Sequence, residues 1–199
     1  MTPARQFTGK IAVVTGATSG IGNAIVRCLV TEGASVVAAG RNREKLAALE
    51  GELGESVVGV RADVLVEDDI RELVSRAASR FGGLDLAFNV VGGAGRHGAI
   101  VDTAREDWDA VMDLTLRSTF FGMKYQAAQM ISQGRGGAIV NISSVNQHMP
   151  LYGRASYAAA KAGVGMLTQN AALEFARHQL AVGENPRFLS NAALVLQRE

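Results

Sequence analysis

Short apolar runs alternate with amphipathic helical stretches along most of the chain, and this alternation predicts an α/β fold with a parallel sheet. The first run, Ile11-Ala12-Val13-Val14, carries no polar residue, as expected for a strand that helices cover on both faces. A glycine-rich turn follows it directly. These observations predict a doubly wound, Rossmann-like parallel sheet in a single domain that spans residues 1–199.

The individual elements follow from the spacing of apolar residues. In 67–81, for example, Ile70, Leu73, Val74 and Ala77 share one helical stripe, and Gly82 ends it. We predict strands over 11–14, 35–39, 57–60, 84–91 and 138–142, and helices over 21–31, 43–53, 67–81, 105–131 and 155–179. In such a sheet, ligands bind at the carboxyl ends of the strands, so the functional residues are expected there.

The composition excludes several classes of function. A formal net charge of +1 gives no reason to expect binding to nucleic acid or to an anionic membrane. No apolar stretch reaches the roughly 18 residues that a membrane-spanning helix needs, and residues 1–10 lack the apolar part of a secretory signal. The single cysteine, Cys28, cannot form an internal disulfide and is predicted to be a small core residue. A cytoplasmic protein is expected.

The turn after the first strand has the pattern TGxxxGxG, from Thr15 to Gly22. Glycines at these spacings let the backbone turn sharply and approach a pyrophosphate group, which the amino terminus of the next helix favours. We therefore predict that this turn binds a dinucleotide. The residues assigned to it are Gly16, Thr18, Ser19, Gly20, Ile21 and Gly22.

The end of the second strand bears on which dinucleotide is bound. A carboxylate there would accept hydrogen bonds from the ribose 2′-hydroxyl group of NAD. The chain instead has Gly40-Arg41-Asn42-Arg43, and the Arg41 guanidinium group can reach a 2′-phosphate. NADP is predicted, with NAD as the alternative and a solvated arginine as the interpretation that needs no ligand.

Asp63 follows the third strand, and Asn89 closes the fourth. The Asp63 carboxylate either accepts from an adenine amino group or caps the helix that begins near Glu67. Asn89 is predicted to lock the strand end through hydrogen bonds from its side chain to the backbone.

Tyr157 and Lys161 are four residues apart, so a helix places them on one face. An ammonium group beside a phenol favours the phenolate and moves the pKa of the phenol toward neutrality. The pair therefore suits acid–base chemistry on a hydroxyl or carbonyl group. A packed tyrosine beside a solvated lysine is the alternative interpretation.

Over residues 7–178 the chain resembles the short-chain dehydrogenase/reductase family. Thr15 to Gly22 is similar to the cofactor loop of that family, Asp63-Val64 to its adenine contact, and Gly40-Arg41 to its NADP-preferring variant. Asn89 and Gly92 match the start and the end of its Asn-Asn-Ala-Gly turn. Ser144 lies thirteen residues before Tyr157, as the catalytic serine of the family does, which makes Ser143 the weaker candidate.

The resemblance implies the role of each of these groups. Tyr157 would be the general acid for carbonyl reduction, or the base for alcohol oxidation. Ser144 would donate a hydrogen bond to the substrate oxygen. Lys161 would hold the nicotinamide ribose and lower the pKa of Tyr157. Tyr157 and Lys161 are therefore cofactor-binding residues as well as catalytic ones.

The chain departs from the family pattern at three places. Val90 replaces the second asparagine of the Asn-Asn-Ala-Gly turn. Thr115 stands where the family has the asparagine that completes a serine, tyrosine, lysine and asparagine tetrad. In the family, that asparagine helps to hold a water molecule in a proton relay to the lysine. The resemblance implies that the Thr115 hydroxyl group would hold this water instead. Residues 179–199 read as an atypical or truncated tail without the usual C-terminal strands, in which 190–197 suit a short helix.

The predicted function is an oxidoreductase that transfers a hydride between NADP(H) and a small alcohol or ketone. The alternative is a non-catalytic or weakly active nucleotide-binding protein of the same fold, which Thr115 and the tail favour. Met149, Leu151 and Tyr152 indicate an apolar substrate, and His97 and His148 lack metal-ligand spacing. The apolar surface of the helices at 105–131 and 155–179 predicts a homodimer or homotetramer.

Overall fold

The computed structural model of the protein describes residues 5–184. Its centre is a parallel sheet of six strands in the order β3-β2-β1-β4-β5-β6. The order reverses direction beside β1, which makes the sheet doubly wound and confirms the predicted fold class. The strands are β1 Ile11–Val14, β2 Ser35–Gly40, β3 Val57–Arg61, β4 Leu86–Asn89, β5 Gly137–Asn141 and β6 Leu180–Gly183.

Six α-helices cover the two faces of the sheet. They are α1 Gly20–Thr31, α2 Arg43–Leu53, α3 Glu67–Phe81, α4 Arg105–Met112, α5 Ser118–Gln133 and α6 Ala155–Phe175. Several ends follow simple capping chemistry. The Asn42 side chain accepts a hydrogen bond from the backbone N–H of Lys45 at the start of α2. Gly82 and Gly134 end α3 and α5 in the left-handed conformation that glycine adopts without strain.

Side chains alternate between the two faces of the strands and form two apolar layers. Val13, Val37 and Ile139 pack with residues of α3, α5 and α6 on one face. Val14, Val36 and Val140 pack with residues of α1 and α2 on the other. Burial on both faces explains why these strands read as continuous apolar runs.

The face of α1 that packs on the sheet does not include Cys28. Gly22, Val26 and Leu29 are its buried residues, whereas Ile21 and Cys28 are exposed. The prediction of Cys28 as a core residue is therefore wrong. Close contact between Gly22 and the preceding turn sets the rotation of the helix, and apolar spacing alone does not reveal that contact.

The helix predicted over 105–131 is divided between α4 and α5 by a π-helical turn, Asp113–Arg117. A π turn leaves backbone carbonyl groups without their usual partner four residues later. Two side-chain hydroxyl groups donate hydrogen bonds to carbonyl groups of this turn. Ser118 Oγ donates to the oxygen of Leu114 at 2.6 Å, and Thr119 Oγ1 donates to the oxygen of Thr115 at 2.8 Å. The apolar periodicity continues through the turn and therefore does not predict it.

One strand was not predicted. The segment 180–183 was assigned to the atypical tail, but it forms β6 and pairs in parallel with β5, with Val182 opposite Ile139. The predicted extension of the last helix to 179 is corrected as well, because α6 ends at Phe175 and Gln179 turns the chain with a φ of 59°. The four residues of β6 are free of polar side chains, as those of β1 are, but the helix predicted to run to 179 leaves no turn in front of them. The short helix predicted over 190–197 lies outside the described residues.

Four buried polar side chains join β4 and β5 to the helices behind them. The Asn89 amide exchanges hydrogen bonds with Gln126 of α5 and donates to Asn141 Oδ1 at 2.8 Å. Asn141 donates in turn to Thr168 Oγ1 of α6 at 2.9 Å. Asn89 therefore secures the end of β4 through side-chain partners, and not through the backbone bonds that the sequence analysis predicted. No helix among residues 5–184 combines the length and hydropathy that crossing a membrane would take.

Candidate active site

A cavity of about 500 Å³ opens at the carboxyl ends of β1 to β4. It lies where the strand order reverses, as the doubly wound fold predicts. Most of the predicted cofactor residues line it, namely Gly16, Thr18, Ser19, Gly20, Ile21, Arg41, Asp63, Val64 and Gly92. Asn89 is not among the lining residues, because its side chain belongs to the buried network with Gln126 and Asn141.

The glycine turn forms the floor of the cavity. Gly16 and Gly20 have φ angles of 68° and 49°, which favour glycine. A Cβ atom on Gly22 would stand 2.2 Å from the carbonyl oxygen of Gly16, so no larger residue fits there. This contact brings the first turn of α1, with its N–H groups that have no partner within the helix, against the cavity.

The remaining walls carry Arg41 and Asp63. Arg41 is exposed at the end of β2, one residue before the Asn42 cap of α2. Asp63 does not cap α3, whose N-cap residue is Val66. One of its carboxylate oxygens accepts from the N–H of Leu65 at 3.0 Å, which holds a turn ahead of the helix.

Lys161 is buried beside the cavity on the inner face of α6. Its side chain is 4% exposed, and Nζ donates a hydrogen bond to the carbonyl oxygen of Ile142, at the end of β5. Nζ also lies 5.8 Å from the ring centroid of Tyr157, one helical turn earlier. The predicted pairing of these two side chains on one face is therefore present in the structure.

Thr115 meets Lys161 at Gly92, which lines the cavity. A Cβ atom on Gly92 would lie 3.4 Å from Lys161 Nζ and 3.6 Å from Thr115 Oγ1. The Thr115 hydroxyl accepts from the N–H of Gly93 at 3.2 Å, and its carbonyl oxygen accepts from Thr119. Thr115 thus holds the loop after β4 in place through hydrogen bonds to the backbone of Gly93.

The two serines after β5 have different partners. Ser144 Oγ accepts from the N–H of Asn146 at 3.2 Å and caps the short helical turn Val145–Gln147. Ser143 Oγ donates to Oε1 of the Gln147 side chain. Ser144 Oγ also donates a long hydrogen bond of 3.4 Å to Asn146 Oδ1, so its proton has a weaker partner than that of Ser143.

Comparison with known proteins agrees with this arrangement. A sequence model of the short chain dehydrogenases matches residues 10–185. The chain belongs to the short-chain dehydrogenase family. An uncharacterized oxidoreductase of Staphylococcus aureus (strain MRSA252) is 38% identical over 172 residues, which cover 86% of this chain and 74% of that protein.

Two further relatives support membership. The short chain dehydrogenase/reductase astE of Aspergillus oryzae is 35% identical over 181 residues, or 89% of this chain and 69% of that one. The crystal structure of a short chain dehydrogenase from Mycobacterium smegmatis superimposes with a TM-score of 0.86 at 27% identity. The alignment covers 96% of this chain and 87% of the Mycobacterium chain. The protein is thus an oxidoreductase of the short-chain dehydrogenase family.

The sequence analysis gave no role to Gln147 or Glu184, the second of which lies in the predicted tail. The structure brings their side chains together, with Gln147 Nε2 donating to Glu184 Oε2 at 2.9 Å. The sequence carried no signal for this contact, since it depends on the unpredicted strand β6.

Burial lowers the pKa of Lys161, and the nearby Glu184 carboxylate offsets part of that effect. Because the pKa is lower in the folded state, the unfolded chain binds more protons at a pH between the lowered value and the ordinary value of 10.5. Stability should therefore rise with pH across that window.

We expect the free energy of unfolding of the wild type, relative to that of Lys161→Met, to increase as the pH is raised from 7 toward 10.5. Urea titrations of both proteins at several pH values measure this difference. Two curves that stay parallel over the whole range would show that Lys161 titrates as it does in water.

Proposed function

We propose that the protein is an NADP(H)-dependent oxidoreductase that interconverts an alcohol and a carbonyl compound. The observation that carries the proposal is the placement of Lys161, buried between the Ile142 carbonyl and the Tyr157 ring at the edge of the cavity. Membership of the short-chain dehydrogenase family supports the same reaction class. The cavity and its glycine turn fit a dinucleotide, since the lining combines backbone N–H groups, Arg41 and Asp63.

In this proposal, Tyr157 donates a proton to the substrate oxygen during reduction and removes it during oxidation. The Lys161 ammonium lies 5.8 Å from the ring centroid, where it attracts the negative charge that develops on Tyr157 in the reverse step. Lys161 Nζ is also close to Gly92 on the cavity wall, where it would donate to ribose hydroxyl groups. When bound, the nicotinamide cofactor supplies or accepts the hydride.

Ser144 is the proposed donor to the substrate oxygen. Its Oγ accepts from the N–H of Asn146, and this bond orients the hydroxyl group at the end of β5. A fixed donor stabilises the charge that develops on the oxygen more effectively than water, which must reorient. Ser143 is the weaker candidate because its proton is directed to Gln147.

The proposed substrate is a small apolar alcohol or ketone. The loop after β5 exposes Met149, Leu151 and Tyr152, the last of which packs against His97 of the loop after β4 with ring centroids 5.9 Å apart. Within residues 5–184, no cluster of histidine, cysteine or acidic side chains is arranged to hold a metal ion.

Replacing Tyr157 with phenylalanine removes the proton donor but keeps the ring. We expect the turnover of NADPH with small ketones to fall by a factor of at least about 100, with the Kd of NADPH changed less than about threefold. Tyr125→Phe is the matched control, because that phenol lies between α3 and α5 and bonds to Glu67. Binding of NADPH without turnover in the wild type would instead favour the nucleotide-binding alternative.

Arg41 is proposed to bind the 2′-phosphate that distinguishes NADP from NAD. A charge-assisted hydrogen bond of this kind is worth about 1.5–3 kcal/mol. We therefore expect Arg41→Ala to weaken NADPH binding by a factor of roughly 10–100 and to leave NADH binding unchanged. Fluorescence titration with both cofactors measures this, with Arg43→Ala as the control on a neighbouring exposed arginine. An equal loss for the two cofactors would contradict the assignment.

We also propose that the protein forms a homodimer or homotetramer through α4, α5 and α6. An apolar groove of about 630 Å³ runs between these helices, and Phe120 and Met166 are exposed in it. Light scattering should give a mass that is a multiple of 20.9 kDa, and Phe120→Asp should reduce it to that of one chain. Val101→Asp also replaces an exposed apolar residue with aspartate, but it lies outside the groove and should leave the mass unchanged. A wild-type mass of 20.9 kDa would overturn the proposal.

A further inference from the structure

Three side chains form a continuous hydrogen-bonded chain across the ends of β5 and β6. Glu184 follows β6 directly, and its Oε2 accepts from Gln147 Nε2 at 2.9 Å. Gln147 Oε1 accepts from the hydroxyl group of Ser143, the residue next to Ser144. The chain therefore connects the last described strand with the loop that carries the proposed catalytic serine.

The direction of this chain follows from the chemistry of its ends. A carboxylate only accepts hydrogen bonds, so the Gln147 amide must turn its NH₂ group toward Glu184. The second N–H of that group faces Nε2 of His148 at 2.7 Å, which makes this ring nitrogen the acceptor. Gln147 Oε1 is then left to accept, and Ser143 must donate to it. The negative charge at Glu184 thus decides where the Ser143 proton points.

The chain packs against the helix face that carries Lys161. Gly165 lies one turn after Lys161, and a Cβ atom on it would stand 2.8 Å from Gln147 Oε1 and 3.1 Å from Glu184 Oε1. The absence of a side chain at Gly165 therefore makes room for both groups. Because Lys161 bonds to the Ile142 carbonyl, the ammonium group and the start of the serine loop share this small region.

We propose that Gln147 and Glu184 are positioning residues for the reaction: they hold the Ser143 hydroxyl away from the substrate, leave Ser144 as the serine donor, and place a carboxylate near the Lys161 ammonium. The inference rests on the proposed function, because it assigns a purpose to groups around Tyr157 and Lys161. Neither residue touches the substrate in this proposal. Both act through the side chains that they orient.

The charge of Glu184 gives the proposal a measurable consequence. The titratable groups that face Lys161 are Tyr157 on α6 and Glu184 after β6, and His148 lies one hydrogen bond further, on Gln147. Burial lowers the pKa of Lys161, whereas Glu184 raises it. Removing the Glu184 charge should therefore let the ammonium group lose its proton at a lower pH.

Glu184→Gln keeps the shape of the side chain and removes its charge. Two amides then face each other, and neither fixes the direction of the hydrogen bonds between residue 184, Gln147 and Ser143. With a ketone and NADPH, we expect kcat to fall about tenfold while KM and the Kd of NADPH change less than about threefold. The alkaline limb of the pH–rate profile should move to lower pH. Glu174→Gln, at an exposed carboxylate on α6, the helix that carries Lys161, is the matched control.

A second measurement does not need turnover. The side-chain ¹³Cε signals of labelled lysine report the titration of Lys161, identified by its loss in Lys161→Met. Its midpoint should be lower in Glu184→Gln than in the wild type and unchanged in Glu174→Gln. Gly165→Ala adds a methyl group on α6 that would displace Gln147 and Glu184, so it should lower the Lys161 midpoint too.

The outcomes separate this inference from the proposed function. If the wild type turns over ketones but Glu184→Gln keeps its kcat, its pH profile and the Lys161 midpoint, the positioning proposal is overturned. If the wild type shows no turnover but the midpoint falls in Glu184→Gln, the proposed reaction fails and the coupling of Glu184 to Lys161 stands.

Combining Glu184→Gln with Gln147→Leu should lower kcat by less than the product of the two single effects, because both act through one hydrogen-bonded chain. Independent effects would contradict this.

Discussion

Burying an ammonium group inside a protein costs several kilocalories per mole unless nearby groups replace the water that it loses. Lys161 meets this constraint at the point where β5 ends and α6 begins. The carbonyl oxygen of Ile142 accepts one of its N–H groups, the face of the Tyr157 ring lies 5.8 Å away, and Glu184 adds a compensating charge. Each partner comes from a different element, so the position of Lys161 depends on the whole arrangement of β5, β6 and α6.

The buried amides behind the site keep that arrangement rigid. Asn89 and Asn141 stand opposite each other at the carboxyl ends of β4 and β5, and they connect the two strands to α5 and α6 through Gln126 and Thr168. Polar groups buried in this way hold neighbouring elements in one relative position, because a shift would leave a donor or acceptor without a partner. The loops after β4 and β5, which carry Gly92 and Ser144, start from this fixed base.

Sequence reasoning predicted the fold and most of the cavity, because both depend on local patterns. The boundaries of α2 and α3 follow from the Asn42 cap, the apolar stripe of Ile70 and its neighbours, and the Gly82 end, all of which lie within a few residues of each other. It failed where a distant contact decides the outcome. The rotation of α1 depends on the approach of Gly22 to Gly16, and β6 is defined by its pairing with β5.

The sequence by itself determined the glycine turn, the four-residue spacing of Tyr157 and Lys161, and the order of the strands and helices that makes this chain a short-chain dehydrogenase. Backbone sterics and helical periodicity act over a few residues, so they can be inferred from the letters alone. Only the tertiary structure decided that Thr115 bonds to the loop after β4, that Asn89 faces the core, and that Glu184 reaches Gln147. These contacts join segments far apart in the chain, and their geometry is set by strand register and helix packing, which no short pattern encodes.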